Sequence, residues 1–210
     1  MQLKQQVYLS LLGAIILPLT ISSYMFSSSI QSFVETKVIE QDLPTVLSDV
    51  RNAIELELAG PILTSKGIAE NTFIEHWINE GEPASELDSI TQYLDNLQKK
   101  NNAITSFIVS KKTSNYYTAD GVSRQISQNS DDWFYAFING NKEFELSLDI
   151  DKTLGKAAVF INYAIRVNGR RQALGGIGRS LESMTDLIKR YSVGETGFVY
   201  MVDATGEIKL

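Results

Sequence analysis

Residues 158–178 read AVFINYAIRVNGRRQALGGIG, and they decide the fold because they predict two long strands joined by a tight turn. Apolar and polar residues alternate on both sides of Asn168-Gly169, a pair that favours a two-residue hairpin because both positions tolerate positive φ. We therefore expect central strands at residues 159–166 and 172–181. The glycines at 175–178 lack the Lys-Ser/Thr continuation of a phosphate-binding loop, so they indicate close backbone packing.

A cluster of aromatic residues precedes this hairpin. Residues 131–137 read DDWFYAF, and residues 144–151 read FELSLDID with alternating apolar and polar positions. We expect one or two helical turns at residues 133–139 and a strand or extended edge at residues 144–148. Aromatic walls with a few acidic groups are what a small-molecule pocket requires, but the same rings would also suit a core. The cluster is therefore a candidate pocket, with core packing as the alternative for each ring.

An uncharged apolar segment lies near the N-terminus. Residues 7–26 read VYLSLLGAIILPLTISSYMF, and about 20 helical residues span about 30 Å of hydrocarbon. Lys4 precedes this segment and the first charge after it is Glu35, so the positive-inside rule predicts a cytoplasmic N-terminus. We expect residues 1–6 in the cytoplasm, a membrane helix at residues 7–29 and a domain outside the cytoplasm at residues 30–210. A cleaved signal peptide is the alternative, although its apolar region is usually shorter.

Helical periodicity follows the apolar segment. Apolar residues recur every three or four positions from Ile30 to Leu58, which predicts one long helix with a kink or restart at Pro44. We expect this helix to end at Gly60-Pro61. Further helices are predicted at residues 62–79 and 85–99, the second with Ser85 as its N-cap.

The period changes to that of strands after residue 103. Strands are predicted at residues 103–110 and 115–119, followed by a polar loop at residues 122–130. The other predictions are a short helix at residues 184–191 and a final hairpin made of residues 197–202 and 207–210. Runs of antiparallel strands with helices gathered to one side indicate an α+β domain. Because the sequence ends inside a predicted strand, we expect it to be part of a longer protein.

Composition excludes several classes of function. The net charge of −6 and the lack of a basic cluster argue against nucleic acid as a partner, since binding it requires clustered Lys and Arg. The absence of cysteine excludes disulfides and thiolate metal sites. His76 is the single histidine, and no nucleophile motif accompanies it. We expect no metal, no other cofactor and no catalytic residue.

The order and spacing of these motifs resemble a Cache (PAS-like) sensor domain, the extracytoplasmic part of bacterial methyl-accepting chemotaxis receptors, diguanylate cyclases and histidine kinases. The resemblance covers residues 30–210 and is carried by the WF pair at 133–134, the LSLD motif at 146–149 and FVYMVDATGEI at 198–208. It implies an α+β fold with an N-terminal transmembrane helix, a long helix and a PAS-like antiparallel sheet flanked by helices.

The resemblance also implies a function. The chain would be the periplasmic ligand-sensing domain of an inner-membrane receptor that binds a small molecule and signals as a homodimer. A methyl-accepting chemotaxis protein is the first interpretation, and the sensor part of a diguanylate cyclase or histidine kinase is the alternative.

Site residues are predicted in two ways. The resemblance matches Trp133 and Phe134 to the pocket tryptophan and its aromatic neighbour, and Asp149 to an acidic ligand-binding position. Placement around the central strands adds Tyr163, which we prefer to Asn162 because neighbours in a strand face opposite ways. The predicted ligand-binding set is Trp133, Phe134, Tyr135, Asp149, Tyr163 and Arg179.

Two positions depart from the amino-acid-binding members of this family. Those members carry an Arg two residues before the tryptophan, which holds a carboxylate, and this chain has Asp131 there. They also carry an Asp after the Gly-x-Gly strand, which holds an amine, and this chain has Ser180 at about that place. The departures argue against an α-amino acid as the ligand, and Arg179 is included as an alternative cation.

Overall fold

The computed structural model describes residues 2–150, 155, 157–191, 197–200, 202 and 206. The chain forms two compact units, residues 1–51 with 191–199 and residues 52–190 with 200–210. The helices are α1 (Gln2–Val34), a π-helical segment (Glu35–Asp42), α2 (Leu43–Ala69), α3 (Thr72–Asn79), a 3₁₀ turn (Ala84–Glu86), α4 (Leu87–Lys100), α5 (Asp132–Asn139) and α6 (Leu181–Ile188). The strands are β1 (Thr105–Ser110), β2 (Asn115–Thr118), β3 (Gly121–Gln125), β4 (Phe144–Ile150), β5 (Ala157–Val167) and β6 (Arg170–Ser180).

Helix α1 carries the apolar N-terminal segment. Its large hydrophobic side chains are exposed, from Val7 to Val34. In the part of the chain that the structure describes, one continuous helical run, Val7–Ala69, is long and apolar enough to cross a membrane. It comprises most of α1, the π-helical segment and α2. Its most apolar stretch has a mean hydropathy of 1.8 and no buried residue. This surface is compatible with the predicted membrane helix and also with its alternative, a signal peptide.

The predicted change near Pro44 is a change of helical geometry. The π-helical segment ends where the Leu43 amide donates to the carbonyl of Val38, five residues back, and ordinary α geometry begins at Leu43. Proline has no amide hydrogen to donate, and it is tolerated best in the first turn of a helix. The restart at Leu43 therefore places Pro44 where it costs least.

The predicted helix end at Gly60-Pro61 is wrong, because α2 continues through Pro61 to Ala69. Residues 58, 61, 65, 68 and 69 are buried and fall on one face of α2. Packing of this face offsets the hydrogen bond that Pro61 cannot make. The break comes instead before α3, where the Asn71 side chain accepts a hydrogen bond from the Phe73 amide at 2.9 Å. The helix predicted at residues 62–79 is thus two helices.

The sheet confirms the predicted α+β class and the central hairpin. Its six strands are antiparallel in the order β3-β2-β1-β6-β5-β4, so β4 is an edge strand as predicted. The β5–β6 turn has positive φ at Asn168 (52°) and Gly169 (76°), as the Asn-Gly signal requires. A bulge interrupts the β5–β6 register between Ile165 and Arg166.

Helices cover both faces of the sheet, so the prediction that they gather on one side is only partly right. On one face, the helix face, α2, α3 and α4 pack on alternate strand residues such as Ile161, Tyr163 and Ile165. On the other, the α5 face, α5 packs on Phe107, Ala164, Leu174 and their neighbours. Each central strand therefore supplies two hydrophobic clusters, which explains its nearly continuous burial.

The glycines of β6 pack closely within a strand, as predicted. A methyl group on Gly175 would meet the side chain of Ile68 from α2, on the helix face. A methyl group on Gly178 would lie 2.8 Å from Thr105 Cγ2 and 3.2 Å from the Phe160 ring. These positions let α2 and two side chains approach the strand backbone.

Other element predictions are corrected. Part of the predicted loop at residues 122–130 is β3, whose polar sequence pairs with β2. Helix α4 begins at Leu87, and its start shows no side-chain cap, so Ser85 is not its N-cap. Helix α6 begins earlier than predicted, because the Ser180 side chain accepts a hydrogen bond from the Glu182 amide. Residues 197–200 form no strand, and residues 207–210 lie outside the described part of the chain.

We expect Ile68→Ala to lower the free energy of unfolding by about 2–5 kcal/mol, because it opens a cavity where α2 meets the sheet. Urea denaturation of the full chain in detergent micelles measures this change. Leu63→Ala is the control on the same helix, since Leu63 is 68% exposed. Equal losses for the two variants would contradict this packing of α2 on β6.

Candidate functional site

A cavity of about 200 Å³ lies on the α5 face of the sheet. It opens between the central strands, the edge strand β4 and the segment from β3 to α5. Its lining combines aromatic rings with few polar groups, as small-molecule sites do. The lining residues are Phe107, Tyr116, Arg124, Trp133, Ser147, Leu148, Asp149, Ile150, Phe160 and Asn162.

Aromatic rings form a continuous wall. Phe107 on β1 stacks on Tyr116 of β2 with ring centroids 5.5 Å apart, and meets Phe160 of β5 edge to face at 5.9 Å. The Arg124 guanidinium lies 5.1 Å from the centroid of the Tyr116 ring and extends the stack. Trp133 adds a further wall from α5. Aromatic pairs in these geometries are rigid contact surfaces.

Asn162 supplies a buried polar group to the cavity. Its side chain is 2% exposed, and its Nδ2 donates to the Ser147 hydroxyl at 3.2 Å. Its Oδ1 is buried and has no hydrogen-bond partner among the described residues. A buried acceptor without a partner costs about 1–3 kcal/mol, so native proteins rarely keep one without a reason.

A buried ion pair closes one side of the cavity. The two terminal nitrogens of Arg124 donate to the two carboxylate oxygens of Asp131 at 3.0 and 2.7 Å. The Asp131 side chain is fully buried and also accepts from the Ser127 amide at 3.1 Å and the Ser130 hydroxyl at 2.8 Å. Burial alone would raise the pKa of Asp131, but these hydrogen bonds hold it far below its usual range. Asp131 therefore stays ionised and keeps Arg124 in place.

The same ion pair helps to position Trp133, because α5 is held at both ends. Asp131 directly precedes α5 and joins it to β3 through Arg124. At the other end, Arg171 of β6 donates to the carbonyls of Phe137 and Gly140 and lies over the Phe137 ring. The helix is thus fixed across the sheet, with Trp133 in the cavity wall.

Asp149 lies on the edge strand. Ser147 and Asp149 pair with Phe160 and Ala158 of β5, so they share the cavity side of β4. The Asp149 side chain is exposed at the cavity rim, and its Oδ1 accepts from the Ile150 amide at 2.7 Å. Its negative charge faces solvent and any ligand that enters.

The structure brings together two of the six predicted site residues, since both Trp133 and Asp149 line the cavity. Phe134 is instead fully buried in the cluster between α5 and the sheet. Tyr135 packs against that cluster, with its ring edge to face with Phe134 at 5.2 Å, and it does not line the cavity. Trp133 thus lines the cavity and Phe134 belongs to the core, because adjacent residues of a helix point in different directions.

Tyr163 and Arg179 lie elsewhere. Strand alternation puts Tyr163 on the helix face, where it stacks on Phe144 at 5.1 Å, so Asn162 and not Tyr163 reaches the cavity. Arg179 forms an ion pair with Glu57 and donates to the carbonyls of Asn101 and Asn102. It fastens α2 and the end of α4 to β6 and is not a cavity cation.

Sequence reasoning missed the cavity residues Arg124 and Asn162, and with them Phe107, Tyr116 and Phe160. Arg124 was missed because the polar sequence of β3 predicts a loop at residues 122–130. The preference for Tyr163 over Asn162 is wrong about which residue faces the cavity, and an amide inside an apolar strand is itself a signal that a hydrogen-bond partner is needed. The three rings come from strands distant in sequence, which no local pattern connects.

No protein-family profile matches the chain. Its fold is nevertheless shared with solved sensor domains. The sensory domain of the Campylobacter jejuni chemoreceptor Tlp3 with isoleucine bound has a TM-score of 0.62 and 14% identity, over 85% of this chain and 71% of that one. The ligand-binding domain of the Pseudomonas fluorescens chemoreceptor CtaA in complex with L-serine has a TM-score of 0.58 and 18% identity, over 80% and 72%.

A histidine kinase domain is similar as well. The V. cholerae DctB sensor domain has a TM-score of 0.60 and 11% identity, over 73% of this chain and 60% of that one. The chain thus spans about 60% of the length of the DctB domain. At these identities the comparisons show the fold, and the predicted resemblance to Cache-type sensor domains is confirmed at that level.

We expect Arg124→Met to destabilise the chain by about 3–5 kcal/mol, because it leaves the buried Asp131 carboxylate without its cation. Adding Asp131→Asn should recover part of this loss, since the double variant has no buried charge. Urea denaturation in detergent at neutral pH measures both.

The pH dependence separates charge from packing. The folded pKa of Asp131 lies below its unfolded value of about 3.9, so the stabilisation is complete above that pH and is lost as the pH falls below it. Wild type should therefore lose stability between about pH 5 and pH 2 more steeply than Asp131→Asn. Parallel acid curves for the two proteins would contradict the ion pair.

Proposed function

We propose that this chain is the ligand-sensing extracytoplasmic domain of a transmembrane receptor of the methyl-accepting chemotaxis type. The observation that carries the proposal is the aromatic cavity with the buried, unpartnered Asn162 acceptor, in a fold shared with sensor domains solved with small molecules. The cavity provides the apolar area and the few convergent polar groups that a ligand site needs. No part of the proposal requires catalysis by this domain.

The membrane part of the proposal is supported by helix α1. Its apolar residues are exposed and its length suits one membrane crossing. With Lys4 before this segment and Glu35 after it, residues 1–6 would lie in the cytoplasm, residues 7–29 would cross the inner membrane and residues 30–210 would lie in the periplasm. Sensors of this kind would work as homodimers, with α1 and its continuation connecting the domain to the membrane.

Signalling requires that the ligand bind two conformations unequally. The cavity walls come from the well-paired strands β1 and β5, from the edge strand β4 and from the β3–α5 segment. A ligand that contacts all of these would favour the arrangement in which the peripheral elements are closed on the central strands. Such a shift is the physical basis that we propose for sensing.

The second candidate is the sensor part of a histidine kinase or a diguanylate cyclase. The similarity to the DctB histidine kinase sensor domain favours keeping it. The two candidates share the same ligand site and differ in the output domain.

The proposed topology predicts the behaviour of reporter fusions. Alkaline phosphatase fused after Leu210 should be active in cells, because the enzyme matures only outside the cytoplasm, and the protein should fractionate with the inner membrane. A matched fusion that lacks residues 2–29 should be inactive and cytoplasmic. Activity of the second fusion, or a mature N-terminus near Ser29, would contradict an anchored periplasmic domain.

The proposed sensing function predicts ligand-induced stabilisation. A ligand present at 100 times its dissociation constant should stabilise the domain by about 2.7 kcal/mol and raise the melting temperature by several degrees. Thermal melts of the full chain in detergent, screened against amines, organic acids, amino acids and sugars, measure this shift.

Trp133→Ala and Tyr135→Ala are a matched pair for this screen, because both rings lie on α5 but only Trp133 lines the cavity. Trp133→Ala should abolish the ligand-induced shift, and Tyr135→Ala should keep it. If no compound of any class stabilises the chain, ligand sensing is the wrong function.

A further inference from the structure

The charges around the cavity do not balance. Among the described residues that line it, two are charged, Arg124 and Asp149. Arg124 is compensated by Asp131 through two hydrogen bonds, so this pair contributes no net charge. Asp149 is exposed at the rim, and its hydrogen bond to the Ile150 amide is uncharged. The cavity wall therefore carries one uncompensated negative charge, which favours a cationic ligand.

Arg124 is poorly placed to hold an anion. Both of its terminal nitrogens already bind Asp131, whose carboxylate is fully buried. A ligand carboxylate that took over these donors would strand the Asp131 charge in the interior. That exchange is unfavourable, because a buried charge that loses its partner is strongly destabilising. Of the lining residues that the structure describes, Arg124 is the cation, and its charge is already compensated by Asp131.

The cavity contains a buried hydrogen-bond acceptor to which no described residue donates, the side-chain oxygen of Asn162. Asn162 Oδ1 is buried and has no partner within the described part of the chain, while its Nδ2 is already bonded to Ser147. A carbonyl-type oxygen can only accept, so a ligand satisfies it by bringing an N–H or O–H group. A protonated amine supplies such an N–H and also carries a charge opposite to that of the Asp149 carboxylate.

The aromatic wall favours the same ligand. Four aromatic residues line the cavity, Phe107, Tyr116, Phe160 and Trp133, and the face of an aromatic ring attracts a cation through its quadrupole. The structure already shows one such contact, between Arg124 and the Tyr116 ring at 5.1 Å. The rings and the Asp149 carboxylate thus favour a positively charged ligand, and the Asn162 oxygen favours a ligand that can donate a hydrogen bond.

We infer that this cavity binds an organic primary amine in its ammonium form, with an N–H donated to Asn162 Oδ1. Asp149 pairs with Ala158, four residues or about 13 Å along β5 from Asn162, so its carboxylate attracts the ligand charge from a distance and not by contact. The ligand needs no carboxylate. This inference rests on the proposed ligand-sensing function and specifies the chemical class that the site selects.

The test compares probes that share one carbon skeleton. Isobutylamine, isovalerate and L-valine present the amine alone, the acid alone and both groups, and putrescine, tyramine and histamine extend the amine series. Binding to the full chain in detergent is followed by tryptophan fluorescence, since Trp133 lines the cavity and Trp77 is buried in the opposite cluster. We expect primary amines to bind, isobutylamine to bind more tightly than L-valine, and isovalerate not to bind.

Three variants test the assigned roles. Asn162→Ala should weaken amine binding by about tenfold or more, the effect of losing a hydrogen bond to a charged group. Asp149→Asn should weaken it by a few fold and make it less sensitive to salt, because the lost interaction is exposed. Asp88→Asn is the matched control: Asp88 is exposed in the first turn of α4, which packs on the opposite face of the sheet, so binding should not change.

The outcomes separate the two proposals. Amine binding that responds to Asn162→Ala and Asp149→Asn but not to Asp88→Asn supports the inference. Tighter binding of isovalerate or L-valine than of isobutylamine would overturn it and leave ligand sensing intact. If the amines fail to bind at millimolar concentrations while another compound class does bind, the inferred class is wrong. If no class binds, the sensing function fails first. Circular dichroism of each variant verifies that the fold is kept.

Discussion

Alternation of side chains along β5 is the constraint on which this domain depends. Successive residues of a strand face opposite sides, and both sides of this sheet are covered by helices. Ile161 and Tyr163 therefore belong to the cluster under α2, α3 and α4, while Phe160 and Asn162 face the cavity and α5. A shift of register by one residue would put the amide into the hydrophobic cluster and the tyrosine into the cavity. The β4 and β6 pairings on either side of β5 hold that register.

Three buried polar side chains, those of Glu82, Asp131 and Asn162, differ in how their charge or hydrogen-bonding groups are satisfied. Glu82 is buried, and its carboxylate accepts from the hydroxyls of Thr113 at 2.5 Å and Tyr117 at 2.6 Å, and from that of Ser110. Burial raises the pKa of Tyr117, and the hydrogen bond to Glu82 raises it further, so the phenol remains a donor. Asp131 is also a buried carboxylate, and its charge is compensated by the Arg124 guanidinium. Asn162 Oδ1 differs from both. Of the two buried side-chain atoms without a partner among the described residues, it lines the cavity, and Glu86 Oε2 does not.

The sequence predicted the fold better than the site, for physical reasons. The Asn168-Gly169 turn, the short aromatic helix and the edge strand follow from local signals, because turn chemistry and periodicity are local properties. Pro61 misled the helix prediction, since the packing that offsets its missing hydrogen bond comes from distant strands. Trp133 and Asp149 were identified from the resemblance. Arg124 was not, because its role depends on β3 pairing with β2 and on Asp131 being buried seven residues away.

The residue at position 131 changes the cavity in two ways at once. An Arg there, as the resemblance leads one to expect in amino-acid-binding members, would bring a cation to the segment before α5. Asp131 removes that cation and also compensates Arg124, the cation that β3 brings to the same side. Among the described lining residues, the charge that remains uncompensated is that of Asp149, and the buried polar atom without a partner is the acceptor Asn162 Oδ1. A carboxylate that stabilises α5 from within can therefore reverse the ligand charge that the site prefers, while the sheet and its aromatic wall stay the same.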